Sequence, residues 1–531
     1  MPSRWTSSLL PASGTALLRF GGAYGVLSIL VLLPALVTPL PLSPYAPLVP
    51  EVLVLATVVA YAGGTRWASL ARVSAGVGLG LLVLYQGYDA AVYMAFRRSG
   101  ILYEDLQFVD NLLYLAFDLR SWWGVGGTVV GLLAIGGGVW MGRWALRTLE
   151  RCGAHAECRA LLLPLHLVTW VLVGVVGPAQ AWGTENLTYQ TSNERTRVRT
   201  VTTRALANAR ASLRLDAMLD SLGTAPVQAH YAAYDTLALD RRPPIALIAV
   251  ESYGSVLTRH PDLRAPVRSL LRRTADTLAA DGWHMATARS VSPVRGGRSW
   301  LAIASLLTGT EVRHQLLFNK VQSRLDTAPH LVNTLDAHGY HTVALQPYTY
   351  ARPGLPVRNL YDFDVTLYRN DLRYRGPAYG LANAPDQYSL HFAHETQLAP
   401  NQPSFLFFET VDSHALWNYG LPPMPADWRQ FNEASGTDAE MRRALRAQAA
   451  PRTPFLPDSL TRPRIYDQPR PTRFLRHIGY EWEVLRDYLL ETAPRGSLVL
   501  LLGDHQPPLL ETQDATVPVH ILSTDSTWVR R

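Results

Sequence analysis

The pattern of apolar and polar positions divides the chain in two. Over residues 1–183 apolar residues come in long runs near 17–37, 46–63, 73–95, 122–142 and 160–182. Each approaches the roughly 20 residues that a helix needs to cross a bilayer, which predicts an N-terminal bundle of about five transmembrane helices. From about residue 190 the runs shorten and polar residues fill the gaps. PIALIAV (244–250), YHTVALQ (340–346), SFLFFET (404–410), SLVLLLG (497–503) and PVHIL (518–522) read as buried parallel strands. Helical patterns at 265–282, 330–339 and 472–492 lie between them, the first two ending at a glycine. This alternation predicts an α/β domain with a mostly parallel sheet flanked by helices. Residues 415–470, rich in Pro, Arg and Asp without a clear period, read as a long surface insertion. The expected organisation is a transmembrane domain over 1–183, a connector over 184–240 and a second domain over 241–531.

Charge gives the membrane half a direction. The first run is long, lacks a clear small-residue cleavage site and is followed by further spans, so it is not a removable signal peptide. With the N-terminus in the cytoplasm, Arg4, Arg66, Arg72, Arg143, Arg147, Arg151 and Arg159 fall inside, as the positive-inside rule requires. Five crossings then place everything after residue 183 outside the cytoplasm. The two cysteines, Cys152 and Cys158, fall on the reducing side; with His155 they are too few for a closed zinc site. In the connector, Arg195, Arg197, Arg199, Arg204, Arg210 and Arg214 lie either on an anionic lipid surface or on a solvated helix.

Composition changes this picture little. A charged fraction of 17% against 48% hydrophobic residues fits a chain with a membrane-embedded domain followed by a water-exposed one. The net charge of +7 would suit nucleic acid, anionic lipid or an anionic substrate. No zinc-finger spacing or aromatic RNA-binding pattern supports nucleic acid. No GxxxxGK[ST] loop supports nucleotide use.

The chemistry sits at the strand ends. In a sheet of this kind ligands bind beyond the carboxyl ends of the strands. Glu251 follows the first strand, Asp412 and His414 the third, and Gly503-Asp504-His505 the fourth. Two carboxylates and an imidazole suit a divalent ion, Mn²⁺ first and Zn²⁺ or Mg²⁺ as alternatives, with a fourth oxygen from Ser299. Ser299 opens the segment SWLAIASLLTG after Gly296 and Gly297. A helix start with free N–H groups favours a phosphate, and metal coordination activates a hydroxyl. Taken alone, Ser299 reads as a helix N-cap.

VESYGS (250–255), GGRSWLAIASLLTG (296–309), TVDSHALW (410–417) and GDHQPP (503–508) together resemble the alkaline phosphatase superfamily, most closely its sulfatase-like branch of lipoteichoic acid synthases and phosphoglycerol transferases. The resemblance implies metal ligands at Glu251, Ser299, Asp504 and His505, with Ser299 as nucleophile where the family usually has threonine. It also implies a substrate contact or general acid–base at His414. VRNLYDFDV (357–365) resembles the family's substrate-binding segment and makes Arg358 an anion ligand. The function implied is a phosphotransferase in a bacterial cytoplasmic membrane with an extracytoplasmic, periplasmic catalytic domain. It would move a phosphoglycerol-like head group from a phospholipid to a glycan or lipid acceptor through phospho-Ser299. The alternatives are a metal-dependent phosphodiesterase or phosphatase, a phosphoethanolamine transferase, and an inactive membrane binding protein. A formylglycine sulfatase is disfavoured, because Val291 stands where the convertible Cys or Ser would be.

Overall fold

A computed structural model describes residues 14–36, 49–96, 100–106, 122–176, 200–221, 238–323, 325, 328–350, 359–399, 402–449, 468–510, 512 and 514–529. They fall into two compact units, Met1–Asp220 and Ser221–Arg531.

The first unit is helical: Gly14–Leu36, Pro50–Ala62, Ala68–Phe96, Leu102–Asp105, Trp122–Cys152, Ala156–Val176 and Val201–Ser221. Of these, Gly14–Leu36 and Ala68–Tyr93 are long and apolar enough over their described residues to cross a membrane. The five spans expected from the sequence therefore reduce to two by this measure. Pro50–Ala62 has 13 residues and rises only about 20 Å, short of the roughly 30 Å hydrocarbon core. Trp122–Cys152 and Ala156–Val176 are helices that do not reach the same standard over their described residues. Leu27, Val31, Leu53, Val59, Leu79 and Leu149 pack the centre of the unit. Leu18, Leu81 and Leu84 face outward. Cys152 and Cys158 are buried and free.

Helix Val201–Ser221 belongs to this unit. Its Arg204 forms an ion pair with buried Asp89 at 2.8 Å and also donates to Gln86. Asp89 Oδ1 accepts from Gly100 N, and Glu51 accepts from Thr202 N. Arg204 is thus neither a lipid-surface nor a solvated residue, while Arg195, Arg197 and Arg199 lie outside the described residues.

The second unit is built on a seven-stranded sheet: β1 Ile245–Val250, β2 His284–Val291, β3 His341–Gln346, β4 Val365–Tyr368, β5 Ser404–Glu409, β6 Leu498–Gly503 and β7 Thr516–Ser523. The order is β2-β7-β6-β1-β5-β3-β4. β6, β1, β5, β3 and β4 run parallel, whereas β7 pairs antiparallel with both β6 and β2. The segment read as a parallel strand at 518–522 is therefore antiparallel. β2 carried no hydrophobic signal because it is largely exposed.

Side chains of β5 alternate between two cores. Leu406 and Phe408 pack on one face with helices Pro261–Ala280, Asp386–Gln397 and Arg470–Glu491. Phe405 and Phe407 pack on the other with helices Ser299–Thr308 and Leu331–Ala337. The stretch 415–470, expected at the surface, contributes Trp417, Phe431 and Leu445 to the first core. Phe407 is fully buried in the central strand, so Phe407→Ala should destabilise this unit by about 3–5 kcal/mol, measured by denaturant unfolding.

Candidate active site

β1, β5 and β6 end side by side, and their register sets the site. Val250 pairs with Gly503 and Ala249 with Glu409, so Glu251, Glu409 and Asp504 emerge at one edge. Gly503 permits the close approach: a Cβ there would sit 1.8 Å from the carbonyl oxygen of Tyr253. Thr410 Oγ1 then accepts from Glu251 N at 3.1 Å, and Asp504 Oδ1 accepts from Ser252 N at 2.8 Å and from His505 N at 2.6 Å. Ser252 holds φ at 60° and donates its hydroxyl to Glu251 Oε1 at 2.6 Å.

Ser299 reaches this edge from a strained turn. Gly297 and Arg298 both adopt φ near 62°, a conformation that costs a non-glycine residue roughly 1–3 kcal/mol. Arg298 occupies the N-cap position, and Ser299 is the first helical residue. The expectation of Ser299 as a capping serine therefore fails. Its hydroxyl points instead to Glu251 Oε2 at 3.3 Å and His505 Nε2 at 3.1 Å. Gly296 packs with its Cβ position 3.2 Å from Pro508 Cα, and Arg295 O accepts from Gln506 N, so the two loops lock together.

Glu251, Asp504 and His505 each place a ligand atom within 4.8 Å of the others. His505 Nδ1 donates to Gln506 O at 2.9 Å. A carbonyl only accepts, so Nδ1 carries a proton, and Nε2 faces Asp504 Oδ2 at 3.2 Å and Glu251 Oε1 at 3.8 Å. Asp504 Oδ2 is buried with no hydrogen-bond partner. A buried carboxylate oxygen with no hydrogen-bond partner, beside an imidazole nitrogen and a second carboxylate, belongs to a donor set that a divalent cation satisfies. The residues present fit the metal that the motifs imply.

The electrostatics carry the same demand. Burial and the charge of Glu251 push the Asp504 carboxyl up to about 7. Burial also acts on Glu251, but His505, His414 and the Ser252 hydroxyl outweigh it and hold that carboxyl below its usual range. Burial opposes charge on His505, yet Asp504 and Glu251 raise its pKa on balance.

Two residues of the site escaped the sequence reading. Glu409, the last residue of β5, is buried and accepts a hydrogen bond from Tyr348. Burial keeps its carboxyl well above the ordinary range, and Asp504 and Glu251 add to this against the hydrogen bonds of Tyr348 and Ser299. A carboxylate closing the apolar run SFLFF was the available signal. His414 lies half-buried just after β5, near enough for its charge to act on Glu251, and its Nδ1 bonds to Ala415 O at 2.6 Å. Ser413 Oγ donates to Glu251 O at 2.7 Å. Asp412 turns away and accepts from Asp386 N. Arg358 lies outside the described residues.

Two outcomes follow. Because an ion must displace the proton of Asp504, divalent-ion affinity should fall as pH drops through about 7, read by calorimetric titration with Mn²⁺ in buffers on either side of that value. Ser252→Ala removes the hydroxyl that orients Glu251 and should weaken Mn²⁺ binding about 10–100-fold in the same titration.

No family model matches the chain, and no curated protein does. Among solved structures, the integral membrane lipooligosaccharide phosphoethanolamine transferase EptA of Neisseria meningitidis is similar over 94% of this chain and 89% of its own, at 10% identity and a TM-score of 0.41. The phosphoglycerol transferase GacH of Streptococcus pyogenes, in complex with sn-glycerol-1-phosphate, is similar over 56% of this chain and 73% of its own, at 13% identity and a TM-score of 0.36. The lipoteichoic acid synthase LtaP of Listeria monocytogenes is similar over 56% and 71%, at 14% identity and a TM-score of 0.34.

Proposed function

We propose that this protein is a membrane-anchored, metal-dependent phosphotransferase that moves a phosphoglycerol head group from a phospholipid to a glycan or lipid acceptor outside the cytoplasm. The observation that carries this reading is the Ser299 hydroxyl. It leaves its place as a helix cap to sit between Glu251 Oε2 and His505 Nε2, beside the unsatisfied Asp504 Oδ2.

Glu251, Asp504, His505 and Ser299 would hold one divalent ion. Two carboxylates and a hydroxyl favour Mn²⁺, and the imidazole admits Zn²⁺. Such an ion, when bound, lowers the pKa of the serine hydroxyl and offsets charge that develops on the phosphoryl oxygens. Ser299 Oγ, its proton given up to solvent, then forms a bond to the donor phosphorus as the bond from phosphorus to the diacylglycerol oxygen breaks. His414 supplies the proton to that leaving oxygen. The acceptor hydroxyl next attacks the phosphorus of phospho-Ser299 and gives its proton to the same imidazole, which releases the Ser299 oxygen. Helix Ser299–Thr308 begins at the nucleophile, so its positive N-terminal end would favour an anionic phosphoryl group there.

The test is diacylglycerol release from vesicles containing phosphatidylglycerol or phosphatidylethanolamine, with Mn²⁺. Release from the phosphatidylglycerol vesicles is expected, and release from phosphatidylethanolamine alone would replace the head group named here. Ser299→Ala should abolish the reaction, and His414→Ala should slow it about 10²–10⁴-fold with bound metal unchanged. Full release by Ser299→Ala would exclude a serine nucleophile.

A further inference from the structure

The turn that carries His414 is held from behind by a buried acidic group that takes no part in the chemistry above. Asp386 opens helix Asp386–Gln397. Its Oδ2 accepts from Val411 N at 2.6 Å and from Asp412 N at 2.7 Å, while Asp412 Oδ2 accepts from Asp386 N at 2.8 Å. The carbonyl side of the turn is held as well. His477 Nδ1 donates to Asp412 O at 2.7 Å, and Tyr419 OH bonds to Asp412 O and His414 O at 3.1 and 3.3 Å. A carbonyl only accepts, so His477 carries its proton on Nδ1.

Behind Asp386 lies Glu481 of helix Arg470–Glu491, with no measurable exposure, as for Asp386. Neither oxygen of Glu481 has a protein donor, and neither does Asp386 Oδ1. The two carboxyls act on each other in this core. Two neighbouring carboxylates are not both ionised in a dry core, so the pair holds a proton. Burial raises both carboxyls, with the neighbouring acids adding to it: Glu481 lies well above the ordinary range and Asp386 is raised to about 6.

We propose that Asp386, backed by Glu481, is a positioning residue that fixes the Val411–His414 turn and so aims His414 at the reacting centre. The inference rests on the role given to His414 above. Its physical basis is reach: a displacement of about 1 Å at a catalytic group costs roughly 10²-fold in rate, and Asp386 binds two successive N–H groups of the turn.

The test uses the full-length protein with Mn²⁺ and phosphatidylglycerol vesicles, reading kcat, KM, bound metal and thermal stability. Asp386→Ala should lower kcat about 10²-fold with KM and metal content held. Asp386→Asn should restore most of it, because the amide oxygen still accepts both N–H groups. Glu481→Gln should likewise act as wild type, and Glu481→Ala should fall between. In the background of His414→Ala, Asp386→Ala should cost nothing further in kcat. Independent, additive losses would overturn the proposal, as would an Asp386→Asn variant as impaired as Asp386→Ala. Should Asp386→Ala not fold, Glu481→Ala with and without His414→Ala supports or overturns it by the same comparison. If His414→Ala alone leaves turnover unchanged, the role of His414 falls and the positioning role falls with it. If His414→Ala is impaired and Asp386→Ala is not, the positioning role alone fails.

Discussion

The second unit is organised around the burial of like charges at one sheet edge. Glu251, Glu409 and Asp504 all end strands there, and all are buried. Removing an isolated carboxylate from water is costly unless it is neutralised or paired. The fold answers each case differently. Glu409 has its carboxyl held well above the usual range by burial, beside Tyr348. Glu251 is held ionised by two imidazoles and a hydroxyl. Asp504 has one oxygen saturated by two backbone N–H groups and the other left bare. That oxygen, facing His505 Nε2 and close to Glu251, leaves a place for a cation.

The surrounding structure serves this arrangement. Gly503 allows β6 to end against the turn after β1. Arg298 accepts a left-handed backbone so that Ser299 enters its helix with the hydroxyl aimed at the edge. Asp386 and Glu481 hold the neighbouring turn from the far side. Strain and buried charge are concentrated within a few residues, and the two aromatic-rich cores on either face of the sheet supply the stability that tolerates them.

Much of the site was legible in the sequence because strand topology converts position into proximity. Glu251, Asp504 and His505 follow apolar runs directly, and parallel strands must present their carboxyl ends together. Ser299 was legible through its glycines, although its conformation was not: nothing in GGRSW shows that Arg298 takes the cap position. Glu409 was hidden because it closes an apolar run as if it were part of it. Asp386 and Glu481 lie far from the motifs, on helices whose burial depends on tertiary packing. β2 was missed because an exposed edge strand needs no hydrophobic alternation, and β7 was assigned the wrong direction because a short buried run does not encode its partner's polarity. In the first unit, apolar composition located the helices better than it counted those long enough to span a bilayer. Arg204 of the basic connector read as a surface residue because its partner, Asp89, sits more than a hundred residues away, whereas Arg210 and Arg214 are exposed.

The central claim is that Ser299 becomes covalently attached to the transferred group. The direct measurement is peptide-resolved mass spectrometry of rapidly quenched reactions of the full-length protein with Mn²⁺ and phosphatidylglycerol, beside Ser299→Ala. A phosphoglycerol adduct on the peptide containing Ser299, absent from the variant, is the predicted result. Diacylglycerol formed at full rate with Ser299 unmodified throughout would contradict the account.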